Sequence, residues 1–175
     1  MKISKSLILI AALLLTLLTP DFSVAQSAAK SVSKTSPDAL VAELYRQSAR
    51  NRSPFFQTRS RALVNKYFEK HLGDLIWKDA IRSKGEVGAI DGDPLYNAQD
   101  MEIKSFVIQK ADVVKVSTRK MQGVVAEVKV NFENFGKKEE IVFILRPATG
   151  ASGWRIANIK YNDGTDLLRI LKGVN

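Results

Sequence analysis

The densest run of side chains able to do chemistry is Asp91-Gly92-Asp93-Pro94-Leu95-Tyr96-Asn97-Ala98-Gln99-Asp100. Asp91, Asp93 and Asp100, with the amides of Asn97 and Gln99, gather hard oxygens of the kind that hold Ca²⁺. The spacing departs from the helix–loop–helix calcium pattern, which closes on a Glu at its twelfth position. Asp before Pro also starts ordinary turns, because its carboxylate accepts from nearby backbone amides. The run is therefore expected first to be a capped loop, with Asp100 tying it to the start of a sheet. Contact with a ligand or partner and metal binding are its other readings, and no metal is assigned.

His71 stands near the apolar residues Tyr67, Phe68 and Leu75. A general base in a closed pocket is often a His or an Asp, because its pKa can be tuned toward the working pH. A lone His in such surroundings is expected to be packed or surface-lying, and no Gly-x-Ser-x-Gly elbow is present to build a triad. Asp100, His71 and Tyr67 are what an isomerase or hydrolase site would draw on; no catalytic residue is assigned. Arg46, Arg50, Arg52, Arg59, Arg61, Lys66 and Lys70 form a basic cluster, with Arg46 and Arg50 expected one turn apart on one helix face. The cluster is either a solvated face or a patch for an acidic partner or an envelope surface. Trp154, Phe132, Phe143 and Tyr161 are expected as core, with a ligand pocket as the alternative, and Trp154 is kept as a contact candidate. Phe55-Phe56 reads as a staple onto the second helix or as a docking knob.

Composition narrows the chemistry further. Among 175 residues there is no Cys and one His, which removes disulfide scaffolds, thiolate zinc sites, iron–sulfur clusters, Cys nucleophiles and multi-His metal sites. No cofactor is assigned. A hydrophobic fraction of 45% is too high for a disordered chain. The first segment has Lys2 and Lys5, then an apolar run from Leu7 to Leu18, then Pro20, then Ser23-Val24-Ala25. That is the layout of a secretory signal peptide cut near Ala25. The run is short of the roughly 20 apolar residues that span a membrane. Of the 175 residues and +9 net charge, cleavage removes 25 residues with two Lys and one Asp, leaving 150 residues at +8. The mature chain is expected in the periplasm or secreted, without a membrane span. Its partner there is an envelope protein or a small ligand rather than nucleic acid.

The elements that position these residues follow from periodicity. Residues 26–36 read as a flexible leader, and 37–175 as a single domain. Ser36 caps a helix with Pro37 at its first position, carrying Leu40, Val41, Leu44 and Tyr45 inward to about Ala49. A second stretch begins near Thr58, with Leu63, Val64, Tyr67, Phe68, Leu72, Leu75 and Ile76 on one stripe. Gly73-Asp74 is expected to divide it into two helices, the later one ending near Lys84. From Met101 the period changes to two. Val124 to Phe132 form a strand, Asn134 to Lys137 a hairpin turn, and Ile141, Phe143 and Leu145 the next strand. Trp154 to Tyr161 form the last strand, whose shifted apolar phase between Ile156 and Ile159 indicates a bulge. Thr165 or Asp166 then caps a short helix. Helices first, strands next and a short helix last make an α+β domain.

Three segments together carry a family likeness: Asp91-Gly92-Asp93-Pro94-Leu95 leading to Ala98-Gln99-Asp100, Val128-Lys129-Val130-Asn131-Phe132, and Gly153-Trp154-Arg155-Ile156-Ala157-Asn158-Ile159. Across about residues 38–172 the chain resembles the bacterial envelope family "domain of unknown function 3828". The resemblance implies a fold similar to nuclear transport factor 2, a cone in which helices close over a curved antiparallel sheet. Some members are lipoproteins; this chain lacks the lipid-bearing Cys. Folds of this kind host enzymes, binding modules and immunity proteins, so the fold does not fix the activity. The expected function is a non-catalytic periplasmic binding or adaptor domain. A toxin-immunity or inhibitor protein and a small-pocket isomerase or hydrolase are the alternatives. Such cones often pair through the sheet, and monomer and homodimer are both open. Arg46, Arg50, Asp91, Asp93, Asp100 and Trp154 are the contact candidates.

Overall fold

Ser36 and Pro37 start the first helix as their types dictate. The Ser36 hydroxyl accepts from the Ala39 amide at 3.3 Å, and α1 runs Pro37–Ser48 with Leu40, Val41, Leu44 and Tyr45 buried. The structure, a computed structural model, describes residues 35–84, 86–117, 122–150 and 152–173. The expected signal peptide, and all of the expected leader except Thr35 and Ser36, lie outside the described residues. α1 stops because Asn51 turns left-handed at φ 54°, and Pro54 follows.

The second helical stretch divides, but not at Gly73-Asp74. α2 is Arg61–Tyr67 and α3 is Lys70–Ser83, so the break falls at Phe68-Glu69 and Gly73 lies inside α3. The reason is tertiary. Phe68 goes extended, at φ −105° and ψ 146°, and forms a parallel bridge with Ile156. The Glu69 amide donates to the Ile156 carbonyl at 2.8 Å. The helical layer is thus stitched to the sheet edge at the point where the stripe looked continuous. Gly73 is buried in mid-helix, where an added Cβ would make ordinary contacts with Val64 Cγ1 at 3.5 Å and Phe68 Cβ at 3.6 Å.

The strands are β1 (Ile103–Ile108), β2 (Asp112–Ser117), β3 (Gln122–Asn134), β4 (Lys137–Pro147) and β5 (Trp154–Tyr161). All pairings are antiparallel. β1 and β2 share one edge of β3, and β4 then β5 follow on the other. Val130 pairs with Ile108 on one side and Ile141 on the other, so alternate residues of β3 face the helices. Phe135 and Gly136 join β3 to β4 with φ of 48° and 77°, the two left-handed residues of a type I′ hairpin. The expected bulge lies in β5: Ile144 pairs with Asn158 and Leu145 with Ile156, which leaves Ala157 as the extra residue. Val128, Val130, Phe132, Phe143, Leu145 and Ile159 form the core against the helices. Each such side chain contributes roughly 1.5–3 kcal/mol when fully buried. α4 (Leu167–Lys172) is capped by Asp166, whose carboxylate accepts from the Arg169 amide at 3.0 Å.

The architecture is α+β: N-terminal helices on one face of a five-stranded antiparallel sheet, then a short C-terminal helix. Among the described residues no helix is long and apolar enough to cross a membrane.

Candidate functional site

The acidic loop is anchored from below by a residue the sequence reading passed over. Asp79, on the inner side of α3, is only 7% exposed. Its carboxylate accepts from the amides of Ala89 at 2.9 Å and Ile90 at 3.2 Å, and from Arg82 Nη2 at 2.9 Å. Gly88 must be glycine for this to happen, since a Cβ there would sit 2.5 Å from Asp79 Oδ2. Lys84, left-handed at φ 48°, ends α3 and releases the chain into the loop.

Farther along, the loop enters the core. Asp93 Oδ1 accepts from the Leu95 amide at 2.8 Å, and the Asp93 amide donates to the Ala98 carbonyl at 2.8 Å. Leu95 is fully buried. The buried Tyr45 hydroxyl donates to the Leu95 carbonyl at 2.7 Å, and the Tyr161 hydroxyl to the Pro94 carbonyl at 3.2 Å. Burial pushes both phenols up from their ordinary pKa, with Asp93 nearby adding to it. Burial likewise raises the Asp93 carboxyl, against the lowering effect of its bond to Leu95. Asn97, left-handed at φ 51°, donates to Asp163 at 3.1 Å. Capping is thus the loop's first task.

Asp91-Gly92-Asp93 also separates two clefts. The smaller, about 250 Å³, is bounded by Asp93, Asn97, Tyr161, Leu167 and Ile170. The larger is an open groove of about 1080 Å³ between the end of α3, the turn after α1 and the loop. Phe56, Ile81 and Val87 line it while 52%, 44% and 77% exposed, an apolar surface held out to solvent from three separate segments. Glu86, Asp91 and Asp93 line the same groove beside Lys84. The side chains of Glu86 and Asp91 have no hydrogen bond or ion pair among the described residues.

The expected contact residues do not converge. Asp91 and Asp93 belong to this site. Asp100 is exposed and lines neither cleft; its backbone carbonyl, not its carboxylate, accepts from Asn134 Nδ2 at 3.4 Å and joins the loop to the sheet. Arg46 is exposed on α1, but Arg50 lies beyond the helix end. The expectation of one shared helix face is corrected: Ala49 caps α1, and the Arg50 amide turns back to the Gln47 carbonyl at 3.1 Å. Part of the basic cluster is paired internally, Lys66 with Glu43, and Arg61 and Lys70 with Asp74. Trp154 opens β5 half-buried against the core and lines neither cleft. Phe132, Phe143 and Tyr161 are core. Phe55 is the staple, its ring 5.0 Å from that of Phe68, whereas Phe56 points into the groove. His71 and Asp100 are exposed, Tyr67 is fully buried, and none of the three lines either cleft. Among the described residues no cluster of three or more His, Asp or Glu is placed to hold a metal ion.

The sequence carried a signal for Asp79. It falls three residues after Ile76 and seven after Leu72, so a carboxylate occupies the apolar stripe. Ile81 and Val87 are apolar residues off that stripe, the pattern of a second, unpartnered surface. No family model matches the chain, and neither a curated protein nor a solved structure matches it.

Proposed function

We propose that the chain is an exported, non-catalytic binding or adaptor domain of the bacterial envelope, periplasmic or secreted after cleavage near Ala25. The order of helices, antiparallel strands and short helix supports the likeness to the nuclear transport factor 2 fold and to domain of unknown function 3828. The observation that carries the binding reading is the groove. Isolated exposed apolar residues are normal on protein surfaces, whereas a contiguous set around one depression marks a contact site. Here Phe56, Ile81 and Val87 share one depression. A macromolecular partner fits it better than a small ligand. The groove is wide, while the smaller cleft of about 250 Å³ falls below the roughly 300–1,000 Å³ of ordinary ligand pockets.

A photo-crosslinking amino acid at Val87, introduced in cells expressing the full chain, tests this. One dominant stoichiometric adduct from Val87, absent when the probe is moved to Thr149, is the expected result. No adduct at Val87, together with a partner captured by a probe at Arg52 and lost on reversal of Arg46 and Arg50, would transfer the contact to the basic patch. N-terminal sequencing of the envelope-borne protein checks export, with Gln26 expected as the first residue.

A further inference from the structure

We infer that the groove takes a polypeptide segment of another protein in which a Lys or Arg stands between apolar side chains. This rests on the binding-domain reading and adds the partner's chemistry.

Charge is the first argument. With 27 Lys and Arg against 18 Asp and Glu, carboxylates in this chain have cations to spare. Many carboxylates elsewhere take them: Glu43 has Lys66, Asp74 has Arg61 and Lys70, Asp79 has Arg82, and Glu139 has Lys137. At the groove the balance inverts. Glu86, Asp91 and Asp93 line it against Lys84, and neither Glu86 nor Asp91 has an intramolecular partner among the described residues. Asp93 uses one oxygen on the Leu95 amide. Charges arranged so select a partner of opposite sign and steer its approach. Phosphate-bearing surfaces, nucleic acid and anionic lipid alike, are repelled by the same three carboxylates.

Shape is the second argument. The apolar anchors come from the turn after α1 (Phe56), the last turns of α3 (Ile81) and the loop (Val87). They share the trough with the carboxylates, so whatever fills it must bring apolar and cationic groups together. A peptide laying successive side chains into a groove supplies both. A free polyamine supplies charge without the apolar part.

The test uses a nine-residue, end-blocked peptide of alternating Leu and Lys, with Leu/Glu and Gly/Lys counterparts. Binding to the purified chain is followed by fluorescence anisotropy. The Leu/Lys probe should bind, and the Glu86→Gln/Asp91→Asn double variant should weaken it at least about tenfold, the factor equivalent to 1.4 kcal/mol. Those two side chains make no internal bonds among the described residues, so the fold should survive; circular dichroism checks that it does. The Gly/Lys probe should bind at least about tenfold more weakly, and Val87→Ser should weaken the Leu/Lys probe by a similar factor. The inference is overturned by equal binding of the Leu/Glu probe, by an unchanged double variant, by equal competition from spermidine, or by no binding at all. It is also overturned if the groove variants turn a dimer into a monomer in sedimentation, because the occupant is then a second copy. A Val87 adduct that persists while no probe binds removes the partner class and leaves the binding domain. Absence of both removes the two together.

Discussion

Asp79 shows how a single side chain can hold a loop that carries no regular structure. Its carboxylate satisfies two successive amides at the point where the chain leaves α3, and Arg82 balances its charge. Asp79→Ala leaves those amides unpaired, one of them buried, and should cost about 2–3 kcal/mol, read from urea midpoints. The groove should loosen with it, since Val87 and Asp91 flank the anchored residues. Tyr45 acts on the same loop from the opposite side through the Leu95 carbonyl. Tyr45→Phe keeps the ring's edge contacts with Tyr96, Phe106 and Phe143 and removes only the hydroxyl. It should cost about 1 kcal/mol, measured the same way.

At the scale of elements, Gly73 is the informative position. It sits in mid-helix, where Gly is weaker than Ala, and an added Cβ would make ordinary contacts at 3.5 and 3.6 Å. Gly73→Ala should therefore stabilise the protein by roughly 0.4–1 kcal/mol, seen as a raised Tm. Reading Gly73 as a helix break was the natural error of a local rule. The true break at Phe68 depends on Ile156, which lies 88 positions away and which no window of sequence contains. Where structure is set locally, the sequence was legible. The Ser36 cap, the Phe135-Gly136 hairpin, the bulge in β5 and the Asp166 cap are each decided by residues within a turn of one another. The site was legible only in part. Asp91 and Asp93 stood out by type, but Phe56, Ile81 and Val87 meet only through the fold. Arg50 was misplaced because α1 ends at Ser48, ahead of the left-handed Asn51 that turns the chain away.

At the scale of the molecule, carboxylates of opposite behaviour set the acid response. The Lys70 ammonium, with Arg61, holds Asp74 below its ordinary value, and the Thr165 hydroxyl does the same for Asp163. A lowered carboxyl contributes stability that is present above its unfolded pKa and lost as pH falls through its folded one. Asp93 runs the other way. Burial raises it, so its ionised form weighs against folding at neutral pH, and that cost disappears as pH falls through its folded pKa. Asp93→Asn keeps the acceptor for the Leu95 amide and removes the charge. The variant should be more stable than the parent at pH 7, with the gap closing as pH drops to the ordinary carboxylate range near about 4. Denaturant titrations across that span check the sign.

The bridge between Phe68 and Ile156 has a bearing on the order in which the protein can be made. Residues 154–161 are synthesised after the helices and strands they join, yet the helices near residues 65–69 close on them. Phe68 and Glu69 pair with Ile156, and the Arg155 guanidinium reaches the Asn65 carbonyl at 2.9 Å. Contacts so distant in sequence require the whole loop between them to close before any of them forms. A nascent chain stopped before Trp154 therefore has its helices and central strands but no edge to seal them. It should show no cooperative thermal transition, whereas the full chain should unfold in one. Such a polypeptide stays threadable until β5 has been made, which is what the proposed export before folding would require.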